Sequence, residues 1–354
     1  MAKRIAILTS GGDAPGMNAA IRAVVRAGLD AGFELYGVDS GYKGLIDGLD
    51  DISPDETVKI SDLMLHGSAV LHSVRESELR LPIFPMDTYS VSDIILRGGT
   101  ILRTAREMRL FDPEGRTKAA ATLKKLEIDS LVVIGGDGSF HGAMLLKKEH
   151  GINTIGIPAT IDNDLPYTDL TLGFNTALAT CVHAISQIRE TMNSHNRICF
   201  VEIMGRTCGD LALHAALGAG AEAALVPEVP FNFNQLCETL KNSHRRGKKG
   251  SIVTVAEGIA DGNHIANNVA ERTGLDVRYS RLGHIQRGGA PSHNDVILAS
   301  CMGAHAIKLL QKDIGGRLVG VRNNAMIDVD IAEALAKKRK FRKDLYQLVH
   351  QLGK

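Results

Sequence analysis

The sequence predicts an α/β protein of two lobes, each a mostly parallel sheet flanked by helices, and three observations predict it. Short apolar runs, of the kind that fill buried parallel strands, alternate from end to end with longer segments of helical period. Two of those runs stop at glycine–aspartate loops, Ser10-Gly11-Gly12-Asp13 and Gly135-Gly136-Asp137-Gly138-Ser139. Open α/β sheets bind ligands at the carboxyl ends of their strands, which is where such loops lie. The chain has 354 residues, more than one hydrophobic core usually serves, so two lobes are expected.

Ile5–Leu8 is the first expected strand, and after its loop a helix runs over Asn18–Leu29 with its positive end toward that loop. Leu35–Val38 is the next strand. Asp51 to Met86 then breaks the rhythm, with three prolines, scattered charges and no period, and reads as an insertion or elaborate connection. Leu131–Ile134 and Thr154–Ile157 are strands leading to the second loop and to Thr160-Ile161-Asp162-Asn163-Asp164. A helix over Asn175–Met192, strands at Ile198–Val201 and Ile252–Val255, a helix over Ile297–Leu310 and a strand at Leu318–Val321 complete the pattern.

Composition excludes several classes. Lys and Arg number 41 against 40 Asp and Glu, so no global field attracts nucleic acid or an anionic membrane. The basic stretch Lys337 to Lys343 reads as a solvated helix face. Cys181, Cys199, Cys208, Cys237 and Cys301 are odd in number, form no CxxC pair and mostly sit inside apolar runs, so reduced, buried thiols are expected. Four apolar residues follow Met1-Ala2-Lys3-Arg4 before Thr9, too few for a secretion signal, and no run approaches membrane-spanning length. A cytoplasmic protein is expected.

The loops carry chemistry together. Glycine lets backbone N–H groups approach a phosphate closely, whereas aspartates in the same place repel it. Bound magnesium resolves the conflict, because it takes carboxylate or water oxygens and bridges phosphates. A site for magnesium-assisted phosphoryl transfer is the result. The first loop is neither a Walker A motif nor a GxGxxG fingerprint.

Five motifs occur in order: Leu8–Arg22 (LTSGGDAPGMNAAIR), Val132–Ser139 (VVIGGDGS), Thr160–Asp164 (TIDND), Met204-Gly205-Arg206 with Cys208–Leu211 (MGR, CGDL), and Leu282–Gly289 (LGHIQRGG). With them the chain resembles the ATP-dependent 6-phosphofructokinases of bacterial type over nearly its whole length, the segment Asp51–Met86 excepted. The resemblance implies a two-lobed fold, a homotetramer, and transfer of the γ-phosphoryl group of ATP to the 1-hydroxyl of fructose 6-phosphate. It also implies a nucleotide lobe of residues 1–172 with about 285–335, and a sugar-phosphate lobe of 173–284 with about 336–354.

By the same resemblance Asp162 is the base that takes the hydroxyl proton, with Asp164 tuning the site and pointing the same way from an extended loop. Thr160 contacts the sugar, and Arg206, in the turn Met204-Gly205-Arg206, is the cation near the transferring group, where positioning and positive charge supply most of the acceleration. Arg197, Arg278, His284 and Arg287 match positions that bind the 6-phosphate, and Glu257 one that holds sugar hydroxyls. Family counterparts of Arg197 and Arg278 come from the neighbouring subunit. Gly12, Arg106, Gly136, Asp137, Gly138 and Ser139 match nucleotide positions, Asp137 being the magnesium-associated one. Singly, an aspartate in a turn is ordinarily an Asx turn or helix cap, and an arginine ordinarily a solvated surface residue. The ordered motifs reverse that reading.

Gly138 and Ala159 stand where pyrophosphate-using relatives usually carry Asp and Lys, so ATP is the expected donor. Ala159, Arg103 and Glu107 depart from the glycines and aromatic residue common in the ATP type. Arg22, Arg26, Arg189, Glu222, Arg246 and Lys248 match an effector site for ADP or phosphoenolpyruvate, with a solvated turn the competing reading of Arg246 and Lys248. Thr88 stands where that site usually has arginine. The rival readings are a pyrophosphate-dependent phosphofructokinase, a kinase of the NAD or diacylglycerol type sharing the Gly-Gly-Asp-Gly loop, and an inactive sugar-phosphate-binding regulatory protein.

Overall fold

The computed structural model describes residues 3–48, 82–259 and 261–353, so most of the segment 51–86 lies outside the described residues. Contacts divide the chain into two compact units. The first comprises Met1–Thr160, Leu165–Gly173 and Gly289–Lys338, and the second Ile161–Asp164, Phe174–Gly288 and Arg339–Lys354. The residues 161–164, placed with the nucleotide lobe from sequence, thus belong by contact to the second unit.

In the first unit β1 (Arg4–Ser10), α1 (Met17–Asp30), β2 (Glu34–Val38), α2 (Tyr42–Asp47) and β3 (Ile83–Met86) are followed by α3 (Pro113–Lys125), β4 (Ser130–Gly135), α4 (Asp137–His150) and β5 (Asn153–Pro158). In the second, α5 (Phe174–His195), β6 (Ile198–Ile203), α6 (Asp210–Ala219), β7 (Ala223–Leu225), α7 (Phe233–Arg245), β8 (Ser251–Ala256), α8 (Gly262–Thr273) and β9 (Val277–Arg281) follow. The chain returns to the first unit with α9 (His293–Gln311), β10 (Arg317–Arg322), β11 (Ala325–Asp330) and α10 (Ile331–Ala336), and ends in the second with α11 (Lys343–Leu352).

The first unit's sheet runs β11-β10-β5-β4-β1-β2-β3, parallel except for the two edge strands. Ile5 to Leu8 and Leu131 to Ile134 are fully buried, as continuous apolar strands covered on both faces should be. Register puts Ser10 beside Gly135 and Gly135 beside Pro158, so the loops after β1, β4 and β5 leave the same edge of the sheet. Helices α1 and α9 pack closely against one another: a Cβ on Gly303 would stand 2.6 Å from that of Ala23.

The second unit's sheet runs β7-β8-β6-β9 and is parallel throughout. Ile203 pairs with Ala256, so Met204 and Glu257 leave from one level. Its core gathers Phe200, Leu225, Leu240, Val253, Val255 and Val269. All seven strands expected from sequence are present, and among the described residues there are four others that were not expected. Strand β3 contains Pro85, which an edge strand tolerates, and β11 returns from β10 through Asn323-Asn324, both at positive φ as a two-residue hairpin turn requires. Among the described residues no helix is long and apolar enough to cross a membrane. Four of the five thiols are buried as expected, whereas Cys301, on α9, is exposed, and none is in a disulfide.

Candidate active site

In the first unit the loops after β1 and β4 are tied together largely through backbone groups. Gly11 has φ +92°, and its N–H donates to Ala105 O at 3.3 Å while Thr104 Oγ1 donates to its carbonyl at 2.9 Å. Ser139 Oγ donates to Ser10 O at 3.1 Å, tying the second loop to the first, and Tyr42 Oη donates to Ser139 O at 2.7 Å from full burial. Helix α4 begins at Asp137 with no side-chain cap; Ser139 and Phe140 N–H donate to Gly136 O at 3.0 and 3.2 Å, and the helix's positive end faces the loop after β4. The Asp137 carboxylate is half exposed, 3.6 Å from His141 Nδ1. A Cβ on Gly138 would meet nothing within 4 Å, leaving open space at this position. Arg106 is exposed nearby in sequence. Arg103 and Glu107, which depart from the family pattern, are held in ion pairs: Arg103 Nε donates to Asp39 at 2.7 Å and Arg109 Nη2 to Glu107 at 2.6 Å.

The second unit surrounds Asp162. This carboxyl is only 3% exposed, and burial, with the Asp164 charge beside it, pushes its pKa up to about 6. The Arg287 and Arg206 guanidiniums oppose that rise, while Glu257 adds to it. Asp162, Asp164, Arg206, Glu257 and Arg287 therefore form one electrostatic cluster. Thr160 is in the first unit, its carbonyl accepting from Thr171 Oγ1 at 2.6 Å.

The turn bearing Arg206 is built to order. Gly205 has φ +144°, Arg206 φ +54°, and a Cβ on Gly205 would stand 2.4 Å from Cys208 O. Glu257 Oε1 accepts the N–H of Gly205 at 3.1 Å and that of Arg206 at 2.6 Å, so it anchors this turn besides facing Asp162. Gln286 is fully buried; its Oε1 accepts from Met204 N–H at 3.1 Å and its Nε2 donates to Gly283 O at 2.9 Å. Gln286 thus joins the Met204 turn to the 3₁₀ helix Gly283–Arg287, which carries exposed His284 and half-buried Arg287.

Arg197 and Arg278 are brought together elsewhere. Arg197 Nε donates to Asp276 Oδ2 at 2.6 Å, and Arg278 Nη2 lies 3.1 Å from Asp276 Oδ1. Both occupy the amino-terminal edge of the sheet, whereas Met204 and Glu257 leave its carboxyl edge. At about 3.3 Å of rise per residue, the length of β6 sets Arg197 about 20 Å from Met204. The structure does not bring these two arginines to Asp162 within one chain.

The effector-site matches separate likewise. Arg189 lies 3.6 Å from the fully buried Glu222, which also pairs with Lys248 and accepts the N–H of Ile252. Arg246 caps the end of α7, its Nε donating to Asn242 O at 3.3 Å. Arg22 and Arg26 lie on α1 in the first unit, and Thr88 is exposed there.

Sequence reading missed Gln286, Asp276, Asn163 and Asp210 as site-builders. Gln286 sits inside the quoted HIQRGG motif, and Asp276 is two residues before Arg278, which is signal that was available. Asn163 and Asp210 also lie inside quoted motifs, but their hydrogen bond spans 47 residues.

Comparison with known proteins follows the same lines. The family profile described as Phosphofructokinase matches residues 4–310. The chain is 50% identical over 353 residues to a protein of Clostridium botulinum (strain Alaska E43 / Type E3) named ATP-dependent 6-phosphofructokinase, covering 99% of this chain and 100% of that one. A relative of the same name from the Hall strain is 48% identical over 352 residues, with the same coverage of both chains. Among solved structures, phosphofructokinase from Saccharomyces cerevisiae superposes with TM-score 0.80 at 32% identity, covering 99% of this chain and 47% of the yeast chain. A pyrophosphate-dependent phosphofructokinase from Marinobacter aquaeolei shares the fold at TM-score 0.74 and 19% identity, covering 98% and 91% of the two chains. Fold, site motifs and identity over the full length lead to one assignment: the chain belongs to the phosphofructokinase family.

Proposed function

We propose that the protein transfers the γ-phosphoryl group of ATP to the 1-hydroxyl of fructose 6-phosphate, giving fructose 1,6-bisphosphate and ADP in the cytoplasm. The observation that carries this reading is Asp162, a buried carboxyl with its pKa raised to about 6 and opposed by Arg287 and Arg206, in a chain half identical to relatives bearing that activity's name. As the O–P bond to the sugar forms and the bond from the γ-phosphorus to the β–γ bridging oxygen breaks, Asp162 accepts the hydroxyl proton and ADP leaves. Arg206 offsets the charge on the transferring group, with Asp164 and Thr160 shaping the base's surroundings. His284 and Arg287 hold the sugar phosphate from this chain, and Met204, Gly205 and Glu257 the sugar. Gly12, Arg106, Gly136, Gly138 and Ser139 hold the nucleotide, the glycines through backbone N–H groups.

Magnesium fits the first unit's residues: an open aspartate at a helix start, beside a phosphate cradle, suits a cation that keeps several waters and takes one or two carboxylates. Asp137 would hold it. When bound, it supplies neutralisation of charge on the phosphate oxygens. ATP is favoured over pyrophosphate by the open space at Gly138 and by Ala159, 1% exposed and without charge.

Arg197 and Arg278 complete the site of a neighbouring subunit in a homotetramer, a reading supported by their distance from Asp162's own cluster. The effector reading is kept for Arg189, Glu222, Arg246 and Lys248 of the second unit, where Glu222 pairs with Arg189 and Lys248, and for Arg22 and Arg26 of the first. The reaction is tested by following fructose 6-phosphate and ATP by phosphorus NMR: one fructose 1,6-bisphosphate and one ADP appear together, whereas ADP formed without a bisphosphate would refute the acceptor.

A further inference from the structure

We infer that Asp210, held by Arg339, is a positioning residue for phosphoryl transfer: its carboxylate fixes Asn163 and so sets the direction in which the neighbouring Asp162 presents its own carboxylate. The inference rests on the assignment of Asp162 as the base.

Asn163 has φ +50°, in the left-handed region that asparagine adopts more readily than other residues with side chains and that its surroundings hold in place. Its side-chain Nδ2 donates to Asp210 Oδ2 at 3.3 Å. Asn163 is 6% exposed and Asp210 2%, so this bond is made away from water. Asp210 is the first residue of α6, where the helix dipole favours a negative charge, and Arg339 Nη2 pairs with the same Oδ2. A buried carboxylate is thereby neutralised from the segment that leads into α11.

The same strap of chain positions Arg206. Cys208 N–H donates to Gly205 O at 2.8 Å, closing the turn that bears Arg206 four residues before Asp210. One short segment thus supplies both the cation facing Asp162 and the anchor for the residue beside Asp162. Rotation of the peptides flanking Asn163 would swing Asp162 away from its acceptor geometry.

The test compares Asn163→Gly, Asp210→Ala, Asp210→Asn and Asp162→Asn with the wild type, each checked by thermal melting and gel filtration. Asn163→Gly keeps a backbone at ease with positive φ and removes the side chain, and with it the amide that donates to Asp210. Its kcat is expected to fall roughly 10- to 100-fold, as misplacement by about 1 Å does, with the KM for ATP within about twofold. Asp210→Asn retains an oxygen that accepts from Asn163 and Arg339, so it should recover most of the kcat that Asp210→Ala loses. Near wild-type kcat in Asn163→Gly would overturn the inference, as would a loss no greater than its unfolded fraction. If Asp162→Asn itself keeps near wild-type kcat, the base assignment fails instead. Should Asp210→Ala not fold, Asn163→Gly still decides.

Discussion

The proposed role of Asp162 as proton acceptor, with the environment of its carboxyl, makes two measurable statements. Asp162→Asn replaces the proton acceptor with an amide, so kcat should fall on the order of 10²–10⁴-fold with little change in the KM for ATP. In the wild type, kcat/KM for fructose 6-phosphate should decline as pH drops through about 6, the value to which burial and Asp164 raise this carboxyl in the free enzyme, rather than near the ordinary aspartate range. The same shift has a sign in stability. A carboxyl whose folded pKa is raised favours the folded state below its unfolded pKa, and that advantage is lost as pH rises through 6. Asp162→Asn should therefore melt higher than the wild type at pH 7.5 without ligands, the difference vanishing toward pH 4. A pH-independent difference in Tm would contradict the assignment of the shift.

At the level of elements, the turn Met204-Gly205-Arg206 and the edge strand β9 make different demands. Gly205→Ala puts a methyl group 2.4 Å from Cys208 O at φ +144°. It should cost about 1–3 kcal/mol in denaturant unfolding and raise the KM for fructose 6-phosphate, because Arg206 and Glu257 lose their frame. An unchanged KM would separate this turn from the sugar site. The proposed effector positions lead to a second expectation. Thr88 supplies no cation, and losing one charge-assisted phosphate contact removes about 1.5–3 kcal/mol, so ADP and phosphoenolpyruvate should act tenfold or more weakly than on arginine-bearing relatives. Saturation curves for fructose 6-phosphate with millimolar effector check this, and strong activation or inhibition would refute it.

Much of this was legible because it is local. Ile5–Leu8 and Leu131–Ile134 are continuous apolar runs ending in glycine, which fixes strand, level and loop together. Strand β9, by contrast, reads Val-Arg-Tyr-Ser-Arg, too polar to stand out, since an edge strand need not be apolar. The link from Asn163 to Asp210 to Arg339 was illegible for another reason: its members come from loop, helix start and tail, and no periodicity relates them.

At the scale of the whole molecule, the opposite placement of Arg278 and Asp162 in the second unit bears on assembly. Mixing Asp162→Asn with Arg278→Ala subunits should regenerate, by random assortment, about a quarter of the sites with both residues intact. No recovery in oligomers shown to have exchanged subunits would mean that Arg278 does not serve a neighbour. The central claim is the choice of donor and acceptor, and one coupled assay tests it most directly: fructose 6-phosphate with magnesium, offered ATP and pyrophosphate in turn, on wild type and Gly138→Asp. The account predicts turnover by the wild type with ATP and not with pyrophosphate, and loss of ATP use in Gly138→Asp as a carboxylate enters the open space against the phosphates. Robust wild-type activity with pyrophosphate, or none with ATP, would contradict it.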